Sequence, residues 1–491
     1  MPKVVLYYPQ NFAVTRIVPY SLLYLAKALL KNEYSVKIID ANIEKEPLKK
    51  LKDECKNASL VGISAGMDFQ VAMALPASKI AKGASCTVVW GGVYSTFNAH
   101  TLVNLPFVDC IVKGEGEKSM VSILEVGITE APNIIYKRDG EILSNTISNF
   151  IDLNEYSPLP FDLIDIRKYV TTYKNLKVIH FTSSRGCPYN CEFCYQPSMW
   201  QRKWRALSPE NALLEIDALI EMTKATGVYF LDDNFLVDRD RARRIIEGLN
   251  EREIFWGCET RADNLTEEII HFMKHNGCYK LCIGAESGSQ KTLDNMGKGL
   301  RVEEIKRVAE LFGKYDISAE FYFMIGYIGE NEEDINKTLD LIDRVEKVCD
   351  AETFLRVATP FYGTKYFDKA QKFGFKKGDF KDECAQFWAI NPPYLPWLTK
   401  SENNFIQNIA TISLMMYIRE NYIKDMSMAK RIAYIPLSQL LRYRWEHRFW
   451  SIPIDYGLYR WIRKRGFIKN MEKQISPIEK ELCINLSDLI Q

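Results

Sequence analysis

The sequence has almost no net charge and no long apolar run. Its 64 lysines and arginines stand against 63 aspartates and glutamates, a formal charge of +1, so no whole-molecule field recruits nucleic acid or an anionic membrane. The longest membrane-like stretch, 409–418, is about half of the ~20 residues that a spanning helix needs. The chain also shows no internal repeat, no low-complexity segment and no secretory signal before its first strand-like run. These absences predict a cytoplasmic protein.

Cysteine is neither dense nor spaced as it is in secreted scaffolds. The 12 cysteines are spread over 491 residues, which excludes a small disulfide-stapled fold and favours a reducing compartment. An apolar fraction of 47%, with 12% aromatic residues, is ample for sizeable cores. The length suits roughly two to four domains.

Residues 1–145 alternate short apolar runs with helical patterns. Strands are predicted at VVLYYP (4–9), VKIID (36–40), LVGISAG (60–66), TVVWGG (87–92) and CIVKGEGE (110–117). A hairpin is predicted to turn at Asp139-Gly140. Strands that alternate with helices predict a doubly wound, Rossmann-like parallel sheet, which binds ligands beyond the carboxyl ends of its strands.

The rest of the chain divides into three parts. Residues 146–176 break the rhythm, with two prolines in SPLPFDLID, and are interpreted as a linker. Strands are predicted again at 178–184, 228–233, 254–259, 279–286, 320–326 and 353–359. Six strand–helix units over 177–365 predict a partial (β/α)6 barrel with its reactive residues at the carboxyl ends of the strands. Residues 366–491 are expected to form a mainly helical carboxyl-terminal domain.

Three cysteines follow the first predicted barrel strand: Cys187, Cys191 and Cys194, in CPYNCEFC. Three thiols within eight residues can converge on one centre, and thiolates favour zinc or an iron–sulfur cluster. A structural zinc site takes four ligands, commonly with histidine, and the nearest histidine, His180, lies inside a predicted strand. A four-iron cluster held by three thiolates leaves one iron open for a cofactor or substrate. A zinc knuckle or a chance grouping is the alternative.

The cysteine spacing C-x3-C-x-aromatic-C at the end of a first barrel strand resembles the radical S-adenosylmethionine (SAM) superfamily. SRGCPYNCEFCY preceded by a doubly wound domain resembles its cobalamin-binding class. Four later segments are also similar to motifs of the superfamily: FLDDNF (230–235), GAESGSQKTLDNMGKG (284–299), FMIGYIGE (323–330) and TPFYGT (359–364). Ile328 departs from the pattern, since proline is usual there. The resemblance covers about residues 1–365 and implies an enzyme.

The resemblance implies that the three cysteines hold a [4Fe–4S] cluster whose open iron chelates SAM. One electron from an external donor of the flavodoxin or ferredoxin type would then yield a 5′-deoxyadenosyl radical, which abstracts hydrogen from an unactivated carbon. The implied SAM-binding residues are Phe193 at the adenine, Asp232 and Asp233 at the ammonium, Arg261 at the carboxylate, and Glu286 and Ser287 at the ribose. The alternatives are a core aromatic for Phe193, a helix cap for one aspartate and a surface ion pair for Arg261. Arg205 is a weaker candidate for the carboxylate.

The amino-terminal domain is similar to the cobalamin-binding sheets of this class. GGVYST (91–96) resembles a Gly-Gly-x-His-x-Thr pattern with tyrosine in place of histidine, and 114–117 match a Gly-Glu-Gly-Glu turn. The implied cobalamin-binding residues are Gln10, Ser64, Ala65, Gly66, Met67, Gly91, Gly92, Val93, Gly114, Glu115 and Gly116. Because an Asp-x-His-x-x-Gly segment is lacking and His100 has no such context, we expect cobalamin without a lower histidine ligand. The loop 67–69 would cover its lower face or simply begin a helix, and some relatives keep this sheet without the cofactor.

The other cysteines are interpreted mostly as packing residues. Cys86, Cys110 and Cys282 fall in or beside strands, where cysteine behaves as a small apolar side chain. Cys258 and Cys278 flank barrel strands and could face the site.

Basic and aromatic residues interleave in the carboxyl-terminal tract 431–467. Its alternatives are contact with a membrane surface, nucleic-acid binding by stacking and a packed helical subdomain with arginines on one face. We favour a cap that closes the barrel and shapes the substrate pocket. The expected partners are a small-molecule or lipid-like substrate, the electron donor and peripheral membrane contact through this tract, without nucleic acid.

The two cofactor domains together predict a C-methyltransferase that adds a methyl group from methylcobalamin to a carbon radical of a biosynthetic intermediate. The alternative is a radical cyclase or rearrangement enzyme acting on a tetrapyrrole, lipid or natural product, with or without cobalamin. Methylthio transfer to tRNA is disfavoured, because the first domain lacks three matching cysteines and no compact basic β domain follows the barrel. A zinc-stabilised scaffold without activity is the outside alternative.

Overall fold

Two seven-stranded sheets, each packed against helices, make up most of the described chain. The structure is a computed structural model that describes residues 2–10, 16–66, 68–376, 393–422 and 439–450. The first sheet spans 3–144 and the second spans 171–357. This α/β architecture confirms the predicted fold class.

The first sheet has the strand order β2-β1-β3-β4-β5-β6-β7. Its strands are β1 Lys3–Tyr8, β2 Ser35–Asp40, β3 Ala58–Ser64, β4 Thr87–Gly91, β5 Cys110–Val112, β6 Ile134–Arg138 and β7 Glu141–Ser144. Its helices are α1 Tyr20–Lys31, α2 Pro47–Cys55, α3 Asp68–Gly83, α4 Val93–Phe97, α5 Ala99–Leu102 and α6 Glu117–Val126. β1 to β5 are parallel, and the β6–β7 hairpin turns at Asp139-Gly140 as predicted. The strand order reverses between β1 and β3, and the carboxyl ends beside such a reversal form a ligand crevice.

The second sheet is an open half-barrel with the order β16-β15-β14-β13-β12-β9-β8. Its strands are β8 Thr171–Tyr173, β9 Leu176–Phe181, β12 Gly227–Phe230, β13 Phe255–Thr260, β14 Cys278–Glu286, β15 Ser318–Ile325 and β16 Ala351–Val357, and a separate ribbon pairs β10 Ser184–Arg185 with β11 Arg205–Ala206. The helices are α7 Gln196–Trp200, α8 Pro209–Thr223, α9 Arg239–Glu251, α10 Glu267–His275, α11 Gln290–Asn295, α12 Val302–Tyr315 and α13 Glu332–Val348. Six of these strands are parallel and neighbour one another in chain order, whereas β8 is antiparallel. The predicted six-unit partial barrel is therefore confirmed.

One apolar core connects the two sheets. Side chains alternate between the faces of a strand, so Val4 and Leu6 pack with α1 and α6, whereas Val5 and Tyr7 join a separate core on the opposite face. The α1–α6 layer is continuous with the outer face of the half-barrel, which includes Phe181.

Residues 146–176, interpreted from the sequence as a linker, pack closely against both sheets. Three short 3-10 helices cover 153–156, 161–163 and 166–169, and the segment ends as β8. The Tyr169 hydroxyl donates to Asp40 Oδ2 at the end of β2 over 2.7 Å. The segment therefore ties the edge of the first sheet to the start of the second.

The described carboxyl-terminal part is helical. It contains α14 Lys365–Lys372, α15 Lys400–Tyr422 and a helix over 439–446. Of the basic aromatic tract, 439–450 are described, and they pack on α13: Trp445 Nε1 donates to Asp343 at 2.8 Å and Arg448 pairs with Asp340 and Asp343. The rest of the tract lies outside the described residues. Across the described ranges, no helix has the length and apolar character needed to cross a bilayer.

Candidate active site between the two sheets

The loop that carries the three cysteines starts from the β10–β11 ribbon at the carboxyl end of β9. Ser184 pairs with Ala206 and Arg185 with Arg205. Gly186 follows with φ +94°, and a Cβ there would lie 2.1 Å from the Lys203 carbonyl oxygen. Only glycine fits this crossing, which delivers the chain to Cys187.

Asp232, at the end of β12, anchors this strand end. Its carboxylate accepts from the backbone N–H groups of Ser183 and Ser184, both at 2.7 Å, and from the Ser183 hydroxyl. The residue is 0% exposed, and burial raises its pKa above the usual value, an effect that the charge of the Arg241 guanidinium offsets only in part. Asp232, predicted to contact SAM, therefore holds the loop rather than facing the cavity.

The three thiols lie in a protein-enclosed setting suited to a metal cluster. Burial raises the pKa of Cys187, and that of Cys194 to about 12, so binding to iron is what would make them thiolates. The guanidinium of Arg261 lies 3.8 Å from Cys191 Sγ and 3.8 Å from the Tyr189 ring centre. No three His, Cys, Asp or Glu side chains in the described ranges are grouped to hold a single metal ion. Three thiolates would hold three irons of a four-iron cluster and leave the fourth iron open, and this is the donor set that the loop offers.

Arg261 is engaged by groups around the cysteine loop. It pairs with Asp263 and donates to the Lys298 carbonyl oxygen at 2.7 Å. This environment makes it a buried neighbour of Cys191 rather than a surface ion pair.

Phe193 and Glu286 meet through Lys298. The Lys298 Nζ donates to Glu286 Oε1 at 2.8 Å and lies 5.7 Å from the Phe193 ring centre. The structure thus brings two of the predicted SAM residues together beside the cysteine loop. Ser287 turns the other way: it is 0% exposed, its hydroxyl lies 3.0 Å from that of Thr338 and it accepts from the Ser289 N–H.

Asp233 and Glu259 place two carboxyl groups near each other at the mouth of the half-barrel. Asp233 accepts from the Gly186 N–H at 2.9 Å and from the Gln196 amide, and burial raises its pKa to about 7. Glu259 has surface open to solvent at this mouth, but the protein atoms that surround its carboxyl group, with the Asp233 charge added, raise its pKa to about 7. Glu259 was not singled out from the sequence, although its place in CETRAD at the end of β13 was the available signal.

The interior of the half-barrel is polar. Lys280 pairs with Glu320, which also accepts from the Tyr322 hydroxyl at 2.8 Å and from the Cys282 thiol at 3.1 Å. The Tyr229 hydroxyl donates to Cys282 Sγ at 2.7 Å. Cys282, interpreted as a packing residue, is buried in a small apolar cluster with Val178 and in addition hydrogen-bonds to these polar groups.

The two cysteines that could have faced the site lie elsewhere. Cys258 and Cys278 belong to the apolar core on the outer side of the half-barrel. Register shifts at Trp256/Gly257 and Gly284/Glu286 interrupt the pairing of β13, β14 and β15, so sequence position did not reveal which cysteine faces inward.

A cavity of about 280 Å³ lies between the carboxyl ends of the first sheet and the cysteine loop. Seven of the predicted cobalamin-binding residues line it: Ser64, Gly91, Gly92, Val93, Gly114, Glu115 and Gly116. Arg185, Gln196 and Asp233 line it from the barrel side. None of the lining residues that the structure describes is a histidine, and His100 is exposed on α5.

The glycines of the first sheet serve two purposes. A Cβ at Gly91 or Gly114 would meet nothing within 4 Å, so these positions leave open space for a ligand. Gly92 is required by the protein itself, because its φ is +103° and a Cβ would lie 2.6 Å from the Ala65 carbonyl oxygen. Of the other predicted residues, Gln10 is exposed and Met67 lies outside the described residues. Ala65 and Gly66 are not among the lining residues.

Glu115, predicted to bind cobalamin, forms a clasp between the two sheets. Its carboxylate accepts from Arg185 at 2.8 Å, from Arg205 at 2.9 Å and from the Ile151 N–H at 2.9 Å. Glu117 accepts from the same Arg185 at 2.8 Å, and the guanidinium stacks 4.2 Å from the Tyr24 ring centre. Arg205, the weaker candidate for binding the SAM carboxylate, is thus ion-paired with Glu115 instead.

Two family models match the chain in these same regions. A model of the radical SAM superfamily matches residues 181–342, which contain the cysteine loop and most of the half-barrel. A model of the B12 binding domain matches residues 13–124, which contain most of the first sheet.

Individual proteins are similar over larger parts of the chain. An uncharacterized methyltransferase of Pyrococcus horikoshii is 29% identical over 74% of this chain and 81% of its own. The anaerobic magnesium-protoporphyrin IX monomethyl ester cyclase of Rubrivivax gelatinosus is 27% identical, and the match covers 51% of this chain and 47% of the cyclase. The structure of the cobalamin-dependent S-adenosylmethionine radical enzyme OxsB shares the fold, with a TM-score of 0.66 at 20% identity over 98% of this chain and 81% of OxsB. The chain belongs to the radical SAM superfamily, in the class that carries a B12 binding domain.

Proposed function

We propose that the protein is a cobalamin-dependent radical SAM methyltransferase that adds a methyl group to an unactivated carbon of a small molecule. The observation that carries the proposal is a cavity lined both by the glycine turns of the first sheet and by residues around the cysteine loop. The likeness to a methyltransferase over most of both chains supports it.

The residues around the cavity have separate roles in this proposal. Cys187, Cys191 and Cys194 would hold the [4Fe–4S] cluster. With SAM bound, the cluster supplies a 5′-deoxyadenosyl radical, and cobalamin supplies the methyl group. Arg261 keeps positive charge beside Cys191, where it would balance part of the negative charge of the bound cluster.

SAM would be held by groups on both sides of the cysteine loop. Phe193 offers a flat apolar surface for the adenine, and Glu286 a carboxylate for the ribose diol. Asp233 and Glu259 offer oxygens to the ammonium group, and binding this cation would lower the pKa of both carboxyls.

Cobalamin would lie against the open positions Gly91 and Gly114. Because no histidine is found among the described residues that line the cavity, we propose that the lower face of cobalamin has no histidine ligand.

An external electron donor is proposed to dock on the outer face of the cysteine loop. The half-buried residues Pro188 to Asn190 form this face, and exposed cations lie around it. Arg202 donates to the Pro188 carbonyl oxygen and Lys365 to Asn190 Oδ1, both at 3.1 Å. A small acidic redox protein of the flavodoxin or ferredoxin type matches this charge.

Ring formation is the second candidate, supported by the likeness to the magnesium-protoporphyrin cyclase. The chain spans about half the length of that cyclase, so this support is narrower than that for methyl transfer.

Product analysis of the reconstituted protein tests the proposal. The protein should bind about four irons and absorb near ~400 nm. With labelled SAM, reductant, cobalamin and a substrate, it should form 5′-deoxyadenosine and S-adenosylhomocysteine together. Deoxyadenosine with unmethylated cobalamin would favour the cyclase, and zinc without iron would overturn both.

A cysteine pair supplies the control. Cys191→Ala should lose the cluster absorption and both products. Cys349→Ala, which removes a partly exposed thiol after α13, should keep them. Loss of the cluster in both variants would show that the loop is not its site.

A further inference from the structure

Three buried polar atoms around the cavity have no hydrogen-bond partner among the described residues. They are Ser184 Oγ, Gln196 Oε1 and Glu117 Oε2. All three residues line the cavity, and their exposures are 2%, 8% and 3%. A buried acceptor without a partner costs free energy, so three at one cavity indicate a polar occupant.

The chemistry of these atoms defines the group that they bind. The carboxylate oxygen of Glu117 and the amide oxygen of Gln196 only accept, and the Ser184 hydroxyl can do either. The occupant therefore presents N–H or O–H donors. A carboxylate or phosphate there would face Glu117 with like charge.

The two acceptors have defined orientations because the other end of each side chain is already bound. Arg185 donates to Glu117 Oε1, and the Gln196 Nε2 donates to Asp233. Ser184 lies on β10, where its N–H is bound by Asp232. The cavity thus has a preformed set of acceptors where the start of α6 meets the ribbon and α7.

We propose that Glu117, Gln196 and Ser184 form a subsite for the carboxamide groups that fringe a corrin ring. The inference rests on the proposed function, because it takes cobalamin as the occupant of the cavity. Carboxamides supply N–H donors without charge, as these acceptors require. Two of the three residues belong to the half-barrel, so recognition of the corrinoid is shared between the two domains.

Cobalamin analogues in which one carboxamide is hydrolysed to a carboxylate test the subsite. The full chain with its cluster is titrated with hydroxocobalamin and with the b-, d- and e-monocarboxylic acids separately, and binding is followed by the corrinoid absorption. The natural protein should bind at least one acid weaker than hydroxocobalamin by on the order of tenfold or more.

Glu117→Gln should reduce or reverse that preference. The variant keeps an oxygen for Arg185 and replaces the free acceptor with a donor, which favours a carboxylate. Ser184→Ala should weaken binding of every corrinoid that keeps its amides. Glu310→Gln, in an exposed ion pair with Arg344, should bind all four ligands as the natural protein does. Thermal unfolding and cluster absorption confirm that each variant is folded.

The outcomes separate the subsite from the proposed function. If hydroxocobalamin and all three acids bind equally well, or Glu117→Gln keeps the natural preference, the carboxamide subsite is wrong while cobalamin binding stands. If hydroxocobalamin does not bind, both the subsite and the cobalamin-dependent function are overturned. Cluster assembly and SAM cleavage, measured without cobalamin, would then still report on the radical SAM half.

Discussion

At the scale of single residues, two pairs of adjacent polar residues have different roles. In each pair, one side chain supports a loop and the other faces the site. Asp232 is used by backbone N–H groups, whereas Asp233 lines the cavity. Ser287 contacts Thr338 beneath its loop, whereas Glu286 reaches Lys298 and Phe193. The motifs identified each pair, but the direction of each side chain depends on partners far along the chain.

We expect Glu286→Gln and Ser287→Ala to have different effects. Loss of the carboxylate at Glu286 should weaken SAM binding on the order of tenfold, because a charge-assisted hydrogen bond to the ribose is lost. Ser287→Ala should lower the melting temperature and leave SAM affinity within about twofold of the natural value. Equilibrium dialysis with SAM and thermal unfolding measure the two effects. A SAM affinity lost only in Ser287→Ala would contradict the assignment.

Sequence reasoning at this scale reaches local features and misses long-range contacts. The three cysteines and the glycine turns could be singled out as candidates from their spacing, because neighbouring residues define both motifs. The ion pairs of Glu115 with Arg185 and Arg205 could not be predicted from the sequence, since these partners are 70 and 90 residues away. Strand irregularities likewise concealed the inward direction of Cys282.

At the scale of elements, the turn after β15 shows how one buried carboxyl supports a motif. Glu330 in FMIGYIGE accepts from the N–H groups of Gly326 and Tyr327. Gly326 has φ +88°, and a Cβ there would lie 2.6 Å from the Leu395 side chain. The turn therefore closes on its own carboxyl and packs beneath the segment that leads into α15.

The stability of this turn should depend on pH. Burial raises the pKa of Glu330 from 4.5 to about 8. Between these values the unfolded chain has released the proton and the folded chain retains it, so the free energy of unfolding falls as pH rises. Glu330→Gln removes this dependence and should gain in melting temperature, relative to the natural protein, between about pH 5 and about pH 8.

A neighbouring carboxyl controls for general effects of charge. Glu332→Gln changes an exposed residue at the start of α13 and should leave the pH dependence unaltered. Parallel melting curves for Glu330→Gln and the natural protein would show that Glu330 titrates normally.

The elements themselves were largely predictable. Buried parallel strands appear as short apolar runs, and the six parallel strands of the half-barrel were predicted within about three residues of their observed bounds. β8, β10 and β11 were not predicted, because two- and three-residue strands are defined by their partners rather than by pattern. Of these unpredicted elements, the β10–β11 ribbon is the most important for the site, because the cysteine loop starts from it.

At the scale of the whole molecule, the near-zero net charge conceals local differences. Arg202, Lys365 and Arg239 are exposed around the outer face of the cysteine loop; Arg239 donates to the Asn264 carbonyl oxygen, and the side chain of the same asparagine accepts from the Tyr189 hydroxyl. The proposed electron donor would meet these cations first.

Charge reversal at this face should slow reduction by a protein donor. Arg202→Glu and Lys365→Glu should each lower the rate of cluster reduction by reduced flavodoxin on the order of tenfold at low salt. Reduction by dithionite should change little, because a small reductant needs no docking surface. In the control variant Arg344→Glu, which changes the exposed face of α13, flavodoxin and dithionite should both reduce the cluster at the natural rate. Equal loss with both reductants would indicate a damaged cluster instead.

The core that runs from α1 and α6 into the outer face of the half-barrel has a consequence for motion. Two bodies that share an interior cannot swing apart without exposing it, so the distance between the two cofactor sites is set when the chain folds. A methyl group that passes between the two sites must then be carried by movement of the bound small molecules. A hinge motion between the two domains would not carry it. Dissection of the chain into separate halves would cut through this interior, and neither half would be expected to keep its native shape.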